Sequence, residues 1–218
     1  MARRTSLAVA AAGFAVFVAL LVAVSAGAFG HGSVDARADV RAHATVVDHH
    51  GLLTSARWLT NLGAPYVVDA VAAVAAVALW LAGRRRAALY VVGVRVIALV
   101  VESSVKLLVA RSRPALAHPV AHATGYSFPS GHATGAASLY LPLALVACTV
   151  LPGRVARAIV ISVAVLICLV VATTRVLLGV HYPSDVIAGL AIGVCATAAL
   201  LAVADIRLRQ APMANRLP

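Results

Sequence analysis

The stretch 155–185, VARAIVISVAVLICLVVATTRVLLGVHYPSD, decides the fold. Residues 155–174 carry a single charge, Arg157. Wound as an α-helix they cover about 30 Å, the thickness of a bilayer's hydrocarbon core. Directly behind them come Arg175, His181 and Asp185. A cation, an imidazole and a carboxylate at the mouth of a span fit either a nucleophile-orienting cluster or a salt bridge at the membrane surface, and the other clusters of the chain decide between them.

Outward from this stretch the same pattern repeats. Apolar runs of spanning length occupy 6–29, 64–82, 87–110, 132–152 and 184–205. With 155–174 they predict an all-α, polytopic membrane protein of about six transmembrane helices in one bundle. Residues 1–218 read as a single domain whose motif-bearing core runs from about 60 to 205. Composition agrees: 62% of the 218 residues are hydrophobic and 11% are charged, against about 25% in soluble domains. Cys148, Cys168 and Cys195 fall inside apolar runs and read as small core residues, not as a disulfide framework or metal site. The net charge of +11 lacks the aromatic-interleaved basic stripe of a nucleic-acid binder, so no nucleic-acid partner is expected. The first run follows Arg3 and Arg4 and ends at Ala26-Gly27-Ala28, like a signal peptide, but is too long for one and reads as a retained anchor.

Arginine placement sets the orientation. Arg3 and Arg4, Arg84 to Arg86, Arg154 and Arg157, and Arg207, Arg209 and Arg216 mark alternate span ends, which should be cytoplasmic. The segments 30–63, 111–131 and 175–183 then face outward, as expected of a plasma-membrane protein with an extracytoplasmic site. Within 30–63, Val40, Val47, Leu52, Leu59 and Leu62 recur at loosely helical spacing and predict an interfacial amphipathic helix. His49-His50 reads as an exposed polar turn, because no further ligands lie at a usable spacing.

Three clusters share the outward side. Lys106 is the only lysine among 18 basic residues, so position 106 selects a compact ammonium. Arg113 follows at seven residues, close to two helical turns, which predicts that both cations share one helix face, with Pro114 ending the helix. Arg111 reads as a cation snorkelling to lipid headgroups. In Pro129-Ser130-Gly131-His132, the serine suits an N-cap and the glycine lets an anion approach the free N–H groups of a helix start. In the third cluster, Asp185 stands four residues after His181 across Pro183, within reach of the imidazole. Three cations and a helix N-terminus suit phosphate, and two histidines provide one nucleophile and one general acid. No carboxylate cage for a divalent ion is present in these clusters, so neither a metal nor a cofactor is expected.

The pattern Lys-x6-Arg-Pro, Pro-Ser-Gly-His and Arg-x5-His-x3-Asp resembles the type 2 phosphatidic acid phosphatase superfamily, the membrane lipid phosphate phosphatases. The resemblance covers about residues 60–205, and one departure is Thr174 where serine is common. It implies that His181 attacks phosphorus and becomes a phosphohistidine, that Asp185 orients it, and that His132 protonates the leaving group. It also implies that Lys106, Arg113, Ser130, the Gly131 N–H and Arg175 hold the phosphoryl oxygens. The expected substrate is a lipid phosphate monoester or diphosphate: a polyprenyl diphosphate, a phosphatidylglycerol phosphate, phosphatidic acid or a phosphorylated polyprenyl sugar. A lipid phosphotransferase and a non-catalytic anionic-lipid carrier are the alternative readings.

Of the remaining intramembrane charges, Glu102 lies one turn before Lys106 and can pair with it. Asp69 lies at a similar depth on the second span, Arg95 is placed nearer the inner face to snorkel or meet Asp205, and these charges read as structural. Gly131-x3-Gly135 and Gly189-x3-Gly193 predict close helix packing within one chain.

Overall fold

The computed structural model describes residues 3–30, 32–116 and 119–203. Among these residues there are eight α-helices and no strand: α1 Arg3–Ser25, α2 Val34–Val47, α3 His50–Leu59, α4 Pro65–Leu81, α5 Arg85–Val109, α6 Gly131–Ala147, α7 Arg154–Leu177 and α8 Pro183–Val203, with a 3-10 turn, Thr60–Gly63, joining α3 to α4. Pro65 and Pro183 open α4 and α8, where a missing N–H costs nothing. α1, α5, α7 and α8 are each long and apolar enough to cross a bilayer, and α3 with its 3-10 turn reaches that length and hydropathy only together with α4, across a 44° bend.

α6 is the central helix. Ala133, Thr134, Gly135, Ala136, Ala137 and Ser138 are all buried, one turn after another, so neighbours meet it on every side. In lipid there is little hydrophobic drive between helices, and association depends on close van der Waals approach between small residues. α8 supplies that approach through the predicted glycines. A Cβ built on Gly189 would stand 2.6 Å from Ser130 O, and one on Gly193 would stand 2.9 Å from Ser138 N. α1 lies along the other side of α8, where a Cβ on Gly13 would meet Ala191 O at 3.2 Å. Phe17 of α1, Tyr90, Val91, Val94 and Ala98 of α5, and Ala188 and Ile192 of α8 fill one core. Tyr90 satisfies its hydroxyl by donating to Thr197 O at 2.9 Å.

The outside of the bundle is the reverse of a soluble surface. Phe14, Val74, Leu108, Ile159 and Leu166 are all more than half exposed. A contiguous apolar surface of this kind belongs in lipid. The chain is a multi-pass helical membrane protein.

Three expectations are corrected. The connection 30–63 is two helices and a 3-10 turn, not one amphipathic helix. Val40 and Val47 do face outward, but the opposite face of α2 buries Asp35, Asp39 and His43 against the bundle. Arg95 does not snorkel: it is buried, and its Nε meets Asp69 Oδ1 at 2.8 Å, while the alternative partner Asp205 lies outside the described residues. Lys106 and Arg113 do not share a helix face. α5 stops at Val109, where Ala110 turns into the left-handed region at φ 48°, so Arg113 sits in the following loop. Pro114 does not end the helix, because the chain has already left it.

Candidate active site

One end of the bundle gathers the C-terminal ends of α5 and α7 and the N-terminal ends of α6 and α8. The arginines Arg84 to Arg86, Arg154 and Arg157 lie at the opposite ends of α5 and α7. Ser127, Phe128 and Ser130 are fully buried in the segment that leads into α6. Ser130 N donates to Asp185 O at 3.0 Å, which ties the start of α6 to the first turn of α8. The first N–H groups of α6 lack intrahelical acceptors and form an electropositive floor.

Ser130 takes the N-cap position but its side chain does not cap the helix. The hydroxyl is buried without a hydrogen-bond partner. Arg175, 7% exposed, donates from Nη1 to Thr60 Oγ1 at 2.9 Å, and its Nε has no partner. Two orphaned polar groups in one buried place are costly unless a ligand completes them. Lys106 Nζ donates to Pro129 O at 2.5 Å and lies 3.5 Å from Glu102 Oε1, as the i, i+4 spacing predicts. Glu102 also fills the space over Gly131, where a Cβ would meet its Oε1 at 2.6 Å. The cations Arg175, Arg113 and Lys106 all stand close enough for their charge to act on the His132 ring.

His181 sits in the turn between α7 and α8, 2% exposed. Its Nδ1 is 3.5 Å from Asp185 Oδ2, an ion-pair distance too long for an aligned hydrogen bond, so Nδ1 has no hydrogen-bond partner. Its Nε2 lies 3.0 Å from Arg113 Nη1. A guanidinium only donates, so Nε2 carries the lone pair and Nδ1 the proton. Burial pushes the imidazole down to about 4, opposed by Asp185 and reinforced by Arg113 and Arg175. The ring is therefore neutral at pH 7, with the electron pair of Nε2 accepting from Arg113. Arg113 is anchored by the carbonyls of Val180, Thr124, Gly125 and Tyr126.

The structure brings all eight predicted site residues to this end of the bundle. It also adds residues that sequence reasoning missed. Arg111 is not a snorkelling cation; its side chain is only 10% exposed. Nη1 donates to Asp185 Oδ1 at 2.5 Å and Ser184 Oγ at 2.7 Å, while Nη2 donates to Asp35 Oδ2 at 2.8 Å and Phe29 O at 3.2 Å. Its guanidinium lies 4.1 Å from the Tyr182 ring centroid. Ser127 Oγ donates to Asp185 Oδ2. The available signal was Asp35, Asp39 and His43 at four-residue spacing, a polar stripe on the helical face opposite Val40 and Val47.

A helical membrane protein whose span ends converge on a buried His–Asp pair, a second histidine, a serine hydroxyl and three cations is built to handle a phosphate group. The model of the PAP2 superfamily matches residues 86–209, and the chain belongs to that superfamily. The decaprenylphosphoryl-5-phosphoribose phosphatase of Mycobacterium tuberculosis is 34% identical over 157 residues, 71% of this chain and 81% of the relative. Phosphatidylglycerophosphatase B of Bacillus subtilis is 38% identical over 84 residues, 38% of this chain and 41% of the relative. A solved structure, the first transmembrane PAP2-type phosphatidylglycerolphosphate phosphatase from Bacillus subtilis, shares the fold with a TM-score of 0.77 at 24% identity, covering 90% of this chain and 98% of that one. The chain is an enzyme of the phosphoric ester hydrolase class.

Proposed function

We propose that this protein hydrolyses a lipid phosphate monoester or diphosphate at the extracytoplasmic face of the plasma membrane through a phosphohistidine. The observation that carries this reading is the buried His181 ring, with its Nε2 turned toward Arg113 and its Nδ1 toward Asp185. A phosphate bound by Lys106, Arg113, Arg175, Ser130 Oγ and the Gly131 N–H draws Arg113 off Nε2. His181 Nε2 then attacks phosphorus and the P–O bond to the lipid breaks. The departing oxygen takes a proton from His132. The positive charge on the phosphorylated ring is balanced by Asp185. His132, now neutral, removes a proton from water, which attacks phosphorus, breaks the P–N bond and restores His181. The protein's cations neutralise the phosphoryl oxygens in place of a metal ion.

Six spans serve this arrangement: α1, the bent α3–α4 unit, α5, α6, α7 and α8. Arg84 to Arg86, Arg154 and Arg157 assign their end to the cytoplasm by the positive-inside rule. Among the candidate substrates a phosphorylated polyprenyl sugar comes first, because the relative matched over most of its length carries that substrate in its name.

Purified protein should release inorganic phosphate from a panel of lipid phosphates in the presence of EDTA. Brief exposure to substrate phosphorylated at the scissile position should leave an acid-labile, base-stable phosphoenzyme that His181→Ala lacks. Transfer of the phosphoryl group to added alcohols in preference to water would make the enzyme a phosphotransferase. Absence of turnover across the panel would leave the carrier reading.

A further inference from the structure

We propose that Arg111, held from its far side by Asp35 of α2, is a positioning residue for the nucleophile: it fixes Oδ1 of Asp185 so that Oδ2 is the oxygen presented to His181. The inference rests on the reading of His181 as the nucleophile.

Arg111 cannot reach the phosphate. Its two terminal nitrogens are engaged by Asp185, Ser184, Asp35 and the Phe29 carbonyl, and its flat face is covered by Tyr182. What it does reach is the carboxylate behind the nucleophile. An aspartate can rotate about its last torsion, which is broad and soft. The Oδ2 atom of Asp185 accepts from Ser127 Oγ and from Tyr182 N at 3.0 Å. The charge-assisted bond from Arg111 holds the other oxygen and so fixes the carboxylate plane. Arginine suits the position because its planar fork bonds two carboxylates at once without reorganising.

Asp35 supplies the electrostatic half of the argument. A single guanidinium facing a single carboxylate is a neutral pair, and would blunt the charge that Asp185 offers to a cationic phosphohistidine. Asp35 shares the guanidinium from the other side, so Asp35, Arg111 and Asp185 together carry one net negative charge. Asp35 is itself fixed, accepting from Ser184 N at 2.9 Å and from Ser184 Oγ at 2.6 Å, and it is 5% exposed. The outer helix α2 therefore completes the site from outside the motifs.

The test is a double-mutant cycle on detergent-purified full-length protein, with kcat and KM read from phosphate release. Arg111→Gln should lower kcat about tenfold or more while KM stays within about twofold, the signature of an interaction felt only in the transition state. On an Asp185→Asn background the same change should cost less than about twofold, because a residue acting through Asp185 has little left to act on. Arg111→Lys, which keeps the charge and loses the fork, should recover part of the lost kcat. An unchanged kcat in Arg111→Gln, an equal loss in both backgrounds, or a raised KM at unchanged kcat would each overturn the proposal. If Arg111→Gln does not fold, Asp35→Asn goes through the same cycle with the same criteria. His181→Ala is measured alongside. Retained turnover there removes the nucleophile assignment itself, whereas an inactive His181→Ala with a normal Arg111→Gln removes only the role of Arg111.

Discussion

Gly189→Ala places one methyl group where the backbone of α8 touches the backbone of α6. The added Cβ would stand 2.6 Å from Ser130 O and 2.9 Å from Thr134 Oγ1. A carbon resting on a carbonyl oxygen needs about 3.3 Å, so the helices must part by about 0.7 Å at this level. The oxygen belongs to the main chain and cannot rotate away. The same Ser130 is bonded through its N–H to Asp185 O, so the displacement falls between the phosphate-holding end of α6 and the His181–Asp185 pair. A misplacement of about 1 Å costs about 100-fold in rate, which makes a loss of tenfold or more the expected effect on kcat. Stability should suffer less. Overpacking costs about 1–3 kcal/mol, and alanine's better helix propensity returns about 0.5–1 kcal/mol. The assay is phosphate release by the purified variant, beside its thermal unfolding and beside Gly13→Ala. That control tightens the α1–α8 seam, where the added Cβ would find 3.2 Å to Ala191 O, and should leave kcat unchanged. Wild-type kcat/KM in a folded Gly189→Ala would refute the claim that backbone contact between α6 and α8 sets the site.

Three further outcomes are expected. Lys106→Arg should lower kcat/KM clearly, because the ammonium fits between Pro129 O and Glu102, where a longer planar fork does not; unchanged kinetics would make the lone lysine an accident of composition. Burial holds the proposed nucleophile His181 near 4, so loss of reactivity by its protonation should come as pH falls toward 4 and not near the ordinary 6.5; an acid limb of kcat/KM near 6.5 that His181 substitutions move would contradict the burial argument. In a background freed of the native cysteines, Asp48→Cys should react with a membrane-impermeant thiol reagent in intact cells lacking an outer barrier, and Pro152→Cys only after permeabilisation. The reverse labelling would put the site in the cytoplasm.

The spans were legible because their apolar runs are long and their ends are punctuated by Arg84 to Arg86, Arg154 and Pro183. The sixth run starts at 184 in the sequence reading and α8 starts at Pro183. The motif residues were legible because their spacing is local. Arg111 was not. Its partners Asp35 and Asp185 are 76 and 74 residues away, and sequence spacing carries no information about contacts at that range. The same holds for Arg95 with Asp69. Lys106 and Arg113 do come to the same end of the bundle, but through the loop that Ala110 opens and not along a continuous helix. The inward polar face of α2 was hidden because valines on its other face satisfied the expectation of an interfacial helix.

Arg175 gives the protein a particular thermodynamic character. Lys106 has Glu102 beside it, and Arg111 has two carboxylates. Arg175 is as buried as any of them, yet among the described residues its hydrogen-bonded partner is a neutral hydroxyl, and the Ser130 hydroxyl has none. A buried cation without an anion is a cost that folding has already met. In the proposed reaction the anion that relieves it is the phosphate of the substrate, and inorganic phosphate leaves as an anion too. On that reading both substrate and product stabilise the fold by binding it, and thermal unfolding of the protein should shift upward with added phosphate.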